Sequence, residues 1–307
     1  MTASRQASNV QPLFVNLAPG PMGRRFVVHH TPPSALPRAL IVYAHPFAEE
    51  MNKSRRMAAL QSRALAAAGY AVLQIDLLGC GDSEGDFGDA TWSGWVDDVV
   101  SACAWLRRQH GAEGRPAHAM PLWIWGLRVG CLLATQAALQ TRDVAGLLLW
   151  QPTVSGKTAL QQFLRLKTAA EMLSGQARGS TAELRQRLLG GESVDVAGYT
   201  VAPALASGME AAALQPPVSP TQIIWLEQAS GENASLSPAS ALAVQRWQQS
   251  GCTVHTHAVV GPAFWQTTEI EDAPAWIEGT LAALAAIPID PPATAYGQRP
   301  ATEPVAT

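Results

Sequence analysis

Strand-like and helix-like segments alternate along most of this chain, and this alternation restricts the fold more than any other feature of the sequence. Short apolar runs bounded by turn residues are separated by stretches with the 3.6-residue period of amphipathic helices. Because parallel strands need crossover connections, this order predicts a mostly parallel eight-stranded sheet with helices on both faces. Strands are predicted at 13–17, 25–30, 39–44, 70–79, 122–125, 144–150, 222–227 and 253–260, and helices at 52–69, 92–109, 129–140, 238–249 and 273–287.

Residues 156–216 interrupt the alternation. They contain helical stretches such as "LQQFLRLK" and a short extended piece, "VDVAGYTV", but no strand that continues the sheet. This pattern predicts a helical cap inserted into a single core domain. The predicted parts of the chain are a disordered N-terminus at 1–11, a core at 12–155 and 217–287, a cap at 156–216, and a disordered Pro-, Ala- and Thr-rich tail at 288–307.

The composition argues against several classes of protein. The net charge is −3 and charged residues make up 15% of the chain, so the clustered Lys and Arg of a nucleic-acid-binding surface are not expected. No stretch approaches the roughly 20 apolar residues of a membrane span, and the first residues lack the pattern of a secretory signal, which predicts a cytoplasmic protein. The four cysteines have no CxxC spacing, and neither a metal nor a cofactor is expected.

The segment "WGLRVG" (residues 125–130) has the glycine spacing of a nucleophile elbow, the sharp strand-to-helix turn that exposes a catalytic side chain in many hydrolases. Gly126 and Gly130 stand two residues before and two residues after Arg128. A guanidinium group stays protonated in proteins and cannot attack a carbonyl carbon. The turn is therefore predicted to present a cation where a hydrolase presents a nucleophile.

The strand order, the elbow after the fifth strand and the cap after the sixth together resemble the α/β-hydrolase superfamily. The segment "DLLGCGDSEG" (76–85) is similar to the Asp-x-x-Gly-x-Gly-x-Ser turn of that superfamily. The run "HPFAEEMNKSRR" (45–56), with "WGLRVG" and "GPAFW" (261–265), resembles the hydrolase 2 proteins associated with exosortase A systems. This resemblance implies a hydrolase-like role linked to exopolysaccharide and protein-sorting loci, whose proteins are the candidate partners.

The resemblance also implies positions for a catalytic triad, and the sequence fills them with unsuitable side chains. Arg128 falls at the nucleophile position, and Phe264, after the last strand, falls at the base position, where it has no proton to transfer. Glu227 and Glu232 are the candidates for the acid, but there is no histidine for them to orient. The standard triad is therefore predicted to be absent.

The sequence fits an oxyanion hole, a pair of backbone N–H donors to a negatively charged oxygen, better than it fits the triad. The backbone N–H groups of Phe47, in the turn that begins at His45, and of Val129 are expected to converge beside the elbow. Such donors without a triad accelerate hydrolysis by roughly 10³–10⁴ over water, against the 10⁶ or more expected of an enzyme. Ordinary serine hydrolysis is therefore not expected, and it stays open whether the chain is an enzyme.

Two residues are candidates for an unorthodox catalytic group. Cys131 is placed on the first turn of the helix after the elbow, where the helix dipole lowers a thiol pKa, and His45 lies where open α/β sheets bind ligands. Their alternatives are packing in the core for Cys131 and a structural hydrogen bond for His45. Cys80, in a glycine-rich turn, is expected to be exposed. The alternating pair His255 and His257 suits a solvated strand face better than a metal site, because no other ligands are near in sequence.

Arg128 at a helix N-terminus is disfavoured by about 0.3–1 kcal/mol and needs a compensating charge. One candidate is internal: Glu49 or Glu50, expected on the loop after the third strand. The other is an anionic ligand held jointly by Arg128 and by Lys53, Arg55 and Arg56, which are expected to open the first helix near the same edge. The alternative is that the charged run "EEMNKSRR" (49–56) forms a solvent-exposed face with local ion pairs and no ligand.

The sequence leaves three functions open. The first is non-catalytic binding of an acidic small molecule or of a partner by Arg128. The second is hydrolysis of an ester or thioester by non-standard residues. The third is a structural subunit whose cap is an interaction surface.

Overall fold

The structure, a computed structural model, describes residues 9–20, 22–111, 120–174, 179–218, 221–229 and 235–288. The strands are β1 (Asn9–Asn16), β2 (Arg24–Thr31), β3 (Leu40–Ala44), β4 (Ala71–Ile75), β5 (Leu122–Leu127), β6 (Val144–Trp150), β7 (Val194–Val196), β8 (Tyr199–Val201), β9 (Gln222–Ala229) and β10 (Thr253–Val260). The helices are α1 (Glu49–Ala67), α2 (Trp92–His110), α3 (Gly130–Gln140), α4 (Gly156–Leu173), α5 (Thr181–Leu189), α6 (Pro203–Ala211), α7 (Pro238–Gln249) and α8 (Pro274–Ala286).

Eight of these strands form one sheet in the order β1-β2-β4-β3-β5-β6-β9-β10. β2 pairs antiparallel with β1 and β4, and the pairs from β4 across to β10 are parallel. The predicted α/β-hydrolase fold, with its mostly parallel eight-stranded sheet and helices on both faces, is confirmed.

Apolar clusters cover both faces of the sheet. The central strands β3 and β5 are buried along their whole length, as expected for parallel strands covered on two sides. α2, α3 and α7 pack on one face, and α1 and α8 pack on the other. In the described part of the chain, no helix is both long and apolar enough to cross a lipid bilayer.

Several predicted boundaries are wrong; the strand predicted at 70–79, for example, ends at Ile75. Residues 9–11, expected in a disordered N-terminus, belong to β1, because their backbone pairs with residues 29–31 of β2. α1 begins at Glu49, so Glu49 and Glu50 lie in its first turn and not on a loop. Acidic side chains are favourable there because the first N–H groups of a helix carry partial positive charge. The rest of the predicted N-terminus, 1–8, and residues 289–307 of the predicted tail lie outside the described residues.

The segment 156–216 lies between β6 and β9, and we call it the cap segment. It holds α4, α5, the β7–β8 hairpin and α6. Ser155 and Ser180 accept hydrogen bonds from backbone N–H groups in the first turns of α4 and α5, which fixes the starts of both helices. α4 packs on α6, and α6 packs on α2. The division of the chain into a core and a cap stays a prediction.

A cluster of two histidines, His29 and His110, joins β2 to the end of α2, while His30 points to the opposite face of the sheet. The Nε2 atoms of His29 and His110 lie 3.1 Å apart, and the ring of His29 stands edge-on to Trp105. Burial and, secondarily, the neighbouring His110 and His30 lower the pKa of His29 to about 4. Burial also lowers the pKa of His30 and of His110. The fold therefore holds these rings in their neutral form.

This cluster predicts acid-dependent stability. His29 takes up its proton near pH 6.5 in the unfolded chain and near pH 4 in the folded one, so between these values the unfolded state binds more protons. The free energy of unfolding should therefore fall as the pH drops from 6.5 to 4, by at most about 1.4 kcal/mol per pH unit for this histidine. The slope of the free energy of unfolding against pH, measured by urea titration across this range, should be shallower for His29→Gln than for the wild type. Equal slopes in the two proteins would contradict a buried, neutral His29.

Candidate functional site

The turn between β5 and α3 has the backbone geometry of a strained elbow. Arg128 stands at its apex with φ of 55°, a left-handed conformation that costs a non-glycine residue about 1–3 kcal/mol. A side chain at Gly126 would lie 2.6 Å from the backbone N of Cys131, and one at Gly130 would collide with the carbonyl oxygen of Ala44. The glycine spacing in the sequence therefore reflects two close approaches of the backbone.

The Arg128 side chain forms an ion pair with Glu50. Its Nε lies 3.3 Å from Glu50 Oε1 and 3.4 Å from Oε2, and the two side chains are only 17% and 15% exposed. The guanidinium also lies 6.0 Å from the centroid of the Trp265 ring. Burial raises the pKa of Glu50, and the charge of Arg128 partly opposes that rise. Of the two glutamates considered from the sequence, Glu50 is the one that forms this pair.

A cavity of about 310 Å³, which we call the elbow cavity, opens beside this pair. It lies at the carboxyl ends of β3 and β5, where open α/β sheets bind ligands, and the cap segment covers it. Seven of its thirteen lining residues are apolar, and three of the six polar ones lie at the start of α1. The lining residues are Phe47, Glu49, Glu50 and Lys53 around the start of α1, Arg128 and Val129 at the elbow, Ala159, Gln162, Phe163, Leu166 and Met209 in the cap segment, and Trp265 and Gln266 after β10.

Two charged groups of the elbow cavity are not neutralised by the protein. The Oε2 atom of Glu49 is buried and accepts no hydrogen bond from the described residues. Lys53 Nζ donates a long hydrogen bond, 3.4 Å, to the carbonyl oxygen of Gln266, and no carboxylate of the described ranges pairs with it. A buried acceptor and a cation without a counterion therefore flank the Arg128–Glu50 pair.

The two predicted oxyanion donors border the same cavity. Phe47 and Val129 both line it, and neither of their N–H groups donates to an acceptor in the described part of the chain. The turn after Phe47 is sharp, with Ala48 at φ of 50°. These backbone donors remain available to an oxygen atom of a ligand.

His45 does not take part in the elbow cavity. Its ring is buried, with Nδ1 2.8 Å from the carbonyl oxygen of Pro46 and Nε2 3.3 Å from the backbone N of Leu77. Burial lowers the pKa of His45. The ring ties the end of β3 to the turn after β4, which is a structural role, and it lines a second cavity between β2 and α1, so ligand contact by His45 stays a prediction.

Arg55 also lies away from Arg128. Its guanidinium pairs with Asp76 at 3.0 Å, and it lines a different cavity from Lys53. Two residues of separation rotate a side chain by more than half a helical turn, so Lys53 and Arg55 point to different sides of α1. The expected convergence of Arg55 with Lys53 and Arg128 on one anion is therefore wrong.

The cysteine candidates are buried. Cys131 is fully buried, and its Sγ lies 3.6 Å from the carbonyl oxygen of Trp150. Burial raises the pKa of the Cys131 thiol above its usual value, which outweighs the lowering expected from the helix dipole. Cys80, expected to be exposed, is 5% exposed, and burial raises its pKa as well. Neither cysteine lines the elbow cavity.

Phe264 is not the residue of its loop that faces Arg128. Its side chain is fully buried and packs against Trp150, Trp265 and Trp276. Trp265 and Gln266 line the elbow cavity instead, and Gln266 lies near enough to Glu50 to lower the pKa of that carboxyl. Neither was singled out from the sequence, where the only signal was their position just after the last strand.

The remaining candidates have structural partners. Glu227 is buried and accepts hydrogen bonds from Trp225 Nε1 (3.3 Å) and the Ser237 N–H (3.0 Å), whereas Glu232 lies outside the described residues. His255 Nε2 lies 3.1 Å from the Gln222 side-chain oxygen, while His257 Nε2 has no described partner. In the described ranges, no three His, Cys, Asp or Glu residues group as metal ligands.

Comparison with known proteins supports the fold and gives a family. The model of the serine aminopeptidase S33 family matches residues 35–194, slightly more than half of the 307-residue chain. This stretch contains the turn after β3, the elbow and most of the cap segment. No protein of curated function matches the sequence.

Solved structures with the same fold are distant in sequence. A protein of unknown function from Agrobacterium tumefaciens, described as an α/β hydrolase, aligns with a TM-score of 0.54 at 15% identity over 90% of this chain and 95% of that one. Est1E from Butyrivibrio proteoclasticus, solved with ferulic acid, gives 0.53 at 14% identity over 85% and 96%. A carboxyl esterase from Bacillus coagulans gives 0.52 at 14% identity over 82% and 90%. At these identities the likeness shows the fold alone.

Proposed function

Because the chain belongs to the serine aminopeptidase S33 family, of the α/β-hydrolase fold, we propose that it binds a small amphipathic acid in the elbow cavity without hydrolysing esters. The observation that carries this proposal is the residue at the elbow apex. There the fold places a nucleophile, and this chain places Arg128 in an ion pair with Glu50. No Ser, Cys or His is among the described residues that line the cavity, so the Ser–His or Cys–His pair of a hydrolase is missing there.

The unsatisfied groups of the cavity define the ligand. Lys53 supplies a positive charge for a carboxylate, and Glu49 supplies a buried acceptor for a hydroxyl or amino donor. Phe163, Met209 and Trp265 offer apolar contacts to the rest of the molecule. The cavity volume, about 310 Å³, lies at the lower end of the range for small-molecule sites. A hydroxy or amino acid with a short apolar body satisfies all of these groups.

Two finer parts of the proposal rest on the sequence resemblance. "HPFAEEMNKSRR" and "GPAFW" suggest a protein linked to exosortase and exopolysaccharide systems, with the proteins of those loci as partners. A cytoplasmic location belongs to the same proposal. In that setting, the pocket would hold an acidic metabolite of polymer or lipid assembly without turning it over.

The alternative function is ester or thioester hydrolysis by non-standard residues. The free N–H groups of Phe47 and Val129 favour it, because oxyanion donors serve catalysis as well as binding. The candidates for the reacting group argue against hydrolysis, because Cys131 and His45 are both buried and neither lines the elbow cavity.

Calorimetric titration with carboxylic acids tests the binding function. We expect saturable binding of short hydroxy or amino acids with an apolar body, and affinity about tenfold lower for Lys53→Gln because a charge-assisted hydrogen bond is lost. Lys157→Gln is the matched control, since Lys157 lies on the cap segment but does not line the cavity. Equal affinity in the two variants would show that Lys53 does not hold the acid.

A further inference from the structure

A second cavity, which we call the β2–α1 cavity, lies between α1 and the sheet. It has a volume of about 230 Å³ and shares no lining residue with the elbow cavity. Its apolar walls come from β1, β2 and α1, and its polar lining includes His30, Tyr43, Arg55, Arg63, Gln74 and Asp76. Because α1 lines both cavities with different sides, the two are separate sites on one helix.

Two deeply buried polar groups in the wall of this cavity have no partner. His30 is 1% exposed and Tyr43 is 4% exposed, and neither His30 Nδ1 nor the Tyr43 hydroxyl forms a hydrogen bond with the described residues. Ser54 lies close to Tyr43, and its hydroxyl donates to the carbonyl oxygen of Glu50 at 2.7 Å; its lone pairs could accept from Tyr43, but the Tyr43 hydroxyl is not placed to donate to them. Buried polar groups are rarely left unsatisfied, so two of them beside one cavity indicate an occupant with polar atoms.

The charges around the cavity leave one cation in excess. Arg55 is neutralised by Asp76 at 3.0 Å, and Asp76 also accepts a hydrogen bond from the N–H of Asp82 at 3.1 Å. Arg63, two turns further along α1, is exposed at the mouth of the cavity and forms no ion pair with the described residues. Burial and the charge of Arg63 lower the pKa of His30, so its ring is neutral at pH 7 and adds no second charge.

We propose that the β2–α1 cavity is a binding site for a small monocarboxylate, which Arg63, Tyr43 and His30 hold by its two oxygens. The carboxylate neutralises Arg63 and accepts from the Tyr43 hydroxyl. It also accepts from His30 Nδ1–H once the Gln74 amide turns over, so that its NH₂ group, in place of the Oε1 atom now 3.4 Å away, donates to Nε2. The volume is below the usual range for drug-sized ligands, so the acid has only a few carbon atoms.

The single excess positive charge of the cavity lining distinguishes a monocarboxylate from two other ligands of similar size, phosphate and a neutral alcohol. A phosphate dianion brings more negative charge than the single excess cation balances. A neutral alcohol satisfies the Tyr43 hydroxyl but leaves Arg63 without a counterion. Propionate and 1-propanol, which have similar apolar bodies, therefore make a matched pair of probes.

The test is a titration of the full chain with sodium propionate at constant ionic strength, followed by the His30 imidazole nitrogen resonances. We expect saturable shifts within roughly 100 mM, which covers a site of millimolar Kd. Affinity should fall about tenfold in Arg63→Gln and several-fold in Tyr43→Phe, since each variant loses a hydrogen bond to a charged group.

Two matched variants control for general effects of substitution. Tyr70→Phe removes a buried hydroxyl that also lacks a partner but does not line the cavity, and Arg108→Gln removes an exposed arginine on α2. Both should keep wild-type affinity. Absence of saturable shifts in the wild type, equal affinity in Arg63→Gln, or equal binding of 1-propanol would overturn the proposal. A cavity filled with water alone gives the first of these results.

Discussion

Purified protein should hydrolyse short acyl esters and thioesters no more than roughly 10⁴-fold faster than water, the residual level that oxyanion donors give without a triad. An ordinary hydrolase exceeds 10⁶-fold. The expectation follows from the elbow, where Arg128 is paired with Glu50 and has no lone pair to attack a carbonyl. The measurement is release of the alcohol or thiol, corrected for the rate in buffer.

Three variants separate this expectation from unorthodox hydrolysis. Cys131→Ala and His45→Ala should leave any residual rate unchanged, because neither side chain lines the elbow cavity. Arg128→Ser should also stay inactive, since no described histidine lies there to accept the serine proton. Turnover above 10⁶-fold that one of these alanine variants abolishes would establish catalysis by that residue.

Glu50→Ala should destabilise the protein by about 3 kcal/mol, because it leaves the Arg128 guanidinium largely buried without a counterion. Arg128→Gly should cost much less. Glycine relieves the left-handed backbone at this position, and Glu50, whose pKa burial raises, can take up a proton when its partner is lost. Urea unfolding of both variants measures this asymmetry.

The double variant and an exposed pair provide the controls. Arg128→Gly combined with Glu50→Ala should recover most of the stability that Glu50→Ala loses, because the unpaired cation is gone. Asp272→Ala breaks the exposed pair with Arg56 and should change stability far less. Additive effects in the double variant would contradict a buried pair at the elbow.

The sequence predicted the fold and the elbow because both depend on local patterns. Apolar runs and helical periods fix the order of strands and helices, and the glycines on either side of Arg128 mark close backbone approaches. Glu50 was one of two predicted partners for Arg128. The adjacency of β3 and β5 in the sheet brings the start of α1 beside the elbow.

The errors come from side-chain direction and loop register. Starting α1 three residues late left Glu49 and Glu50 on a loop, and the prediction of a shared anion overlooked that Lys53 and Arg55 point to different sides of the helix. After β10, packing of Phe264 among tryptophans sets the register and turns Gln266 toward Glu50, which no local pattern specifies. The burial of Cys131 likewise depends on how α3 packs against the sheet.

The most direct test of binding without hydrolysis measures ligand binding and ester hydrolysis in one sample. The acid selected by titration and its methyl ester are mixed with the protein, and their NMR signals are followed over time. We expect the acid signals to broaden on binding and Lys53→Gln to reduce this broadening. The ester should be hydrolysed at most roughly 10⁴-fold faster than in buffer, the limit for backbone N–H donors without a triad. Ester conversion at rates above 10⁶-fold, proportional to protein concentration, or acid signals that stay sharp, would contradict it.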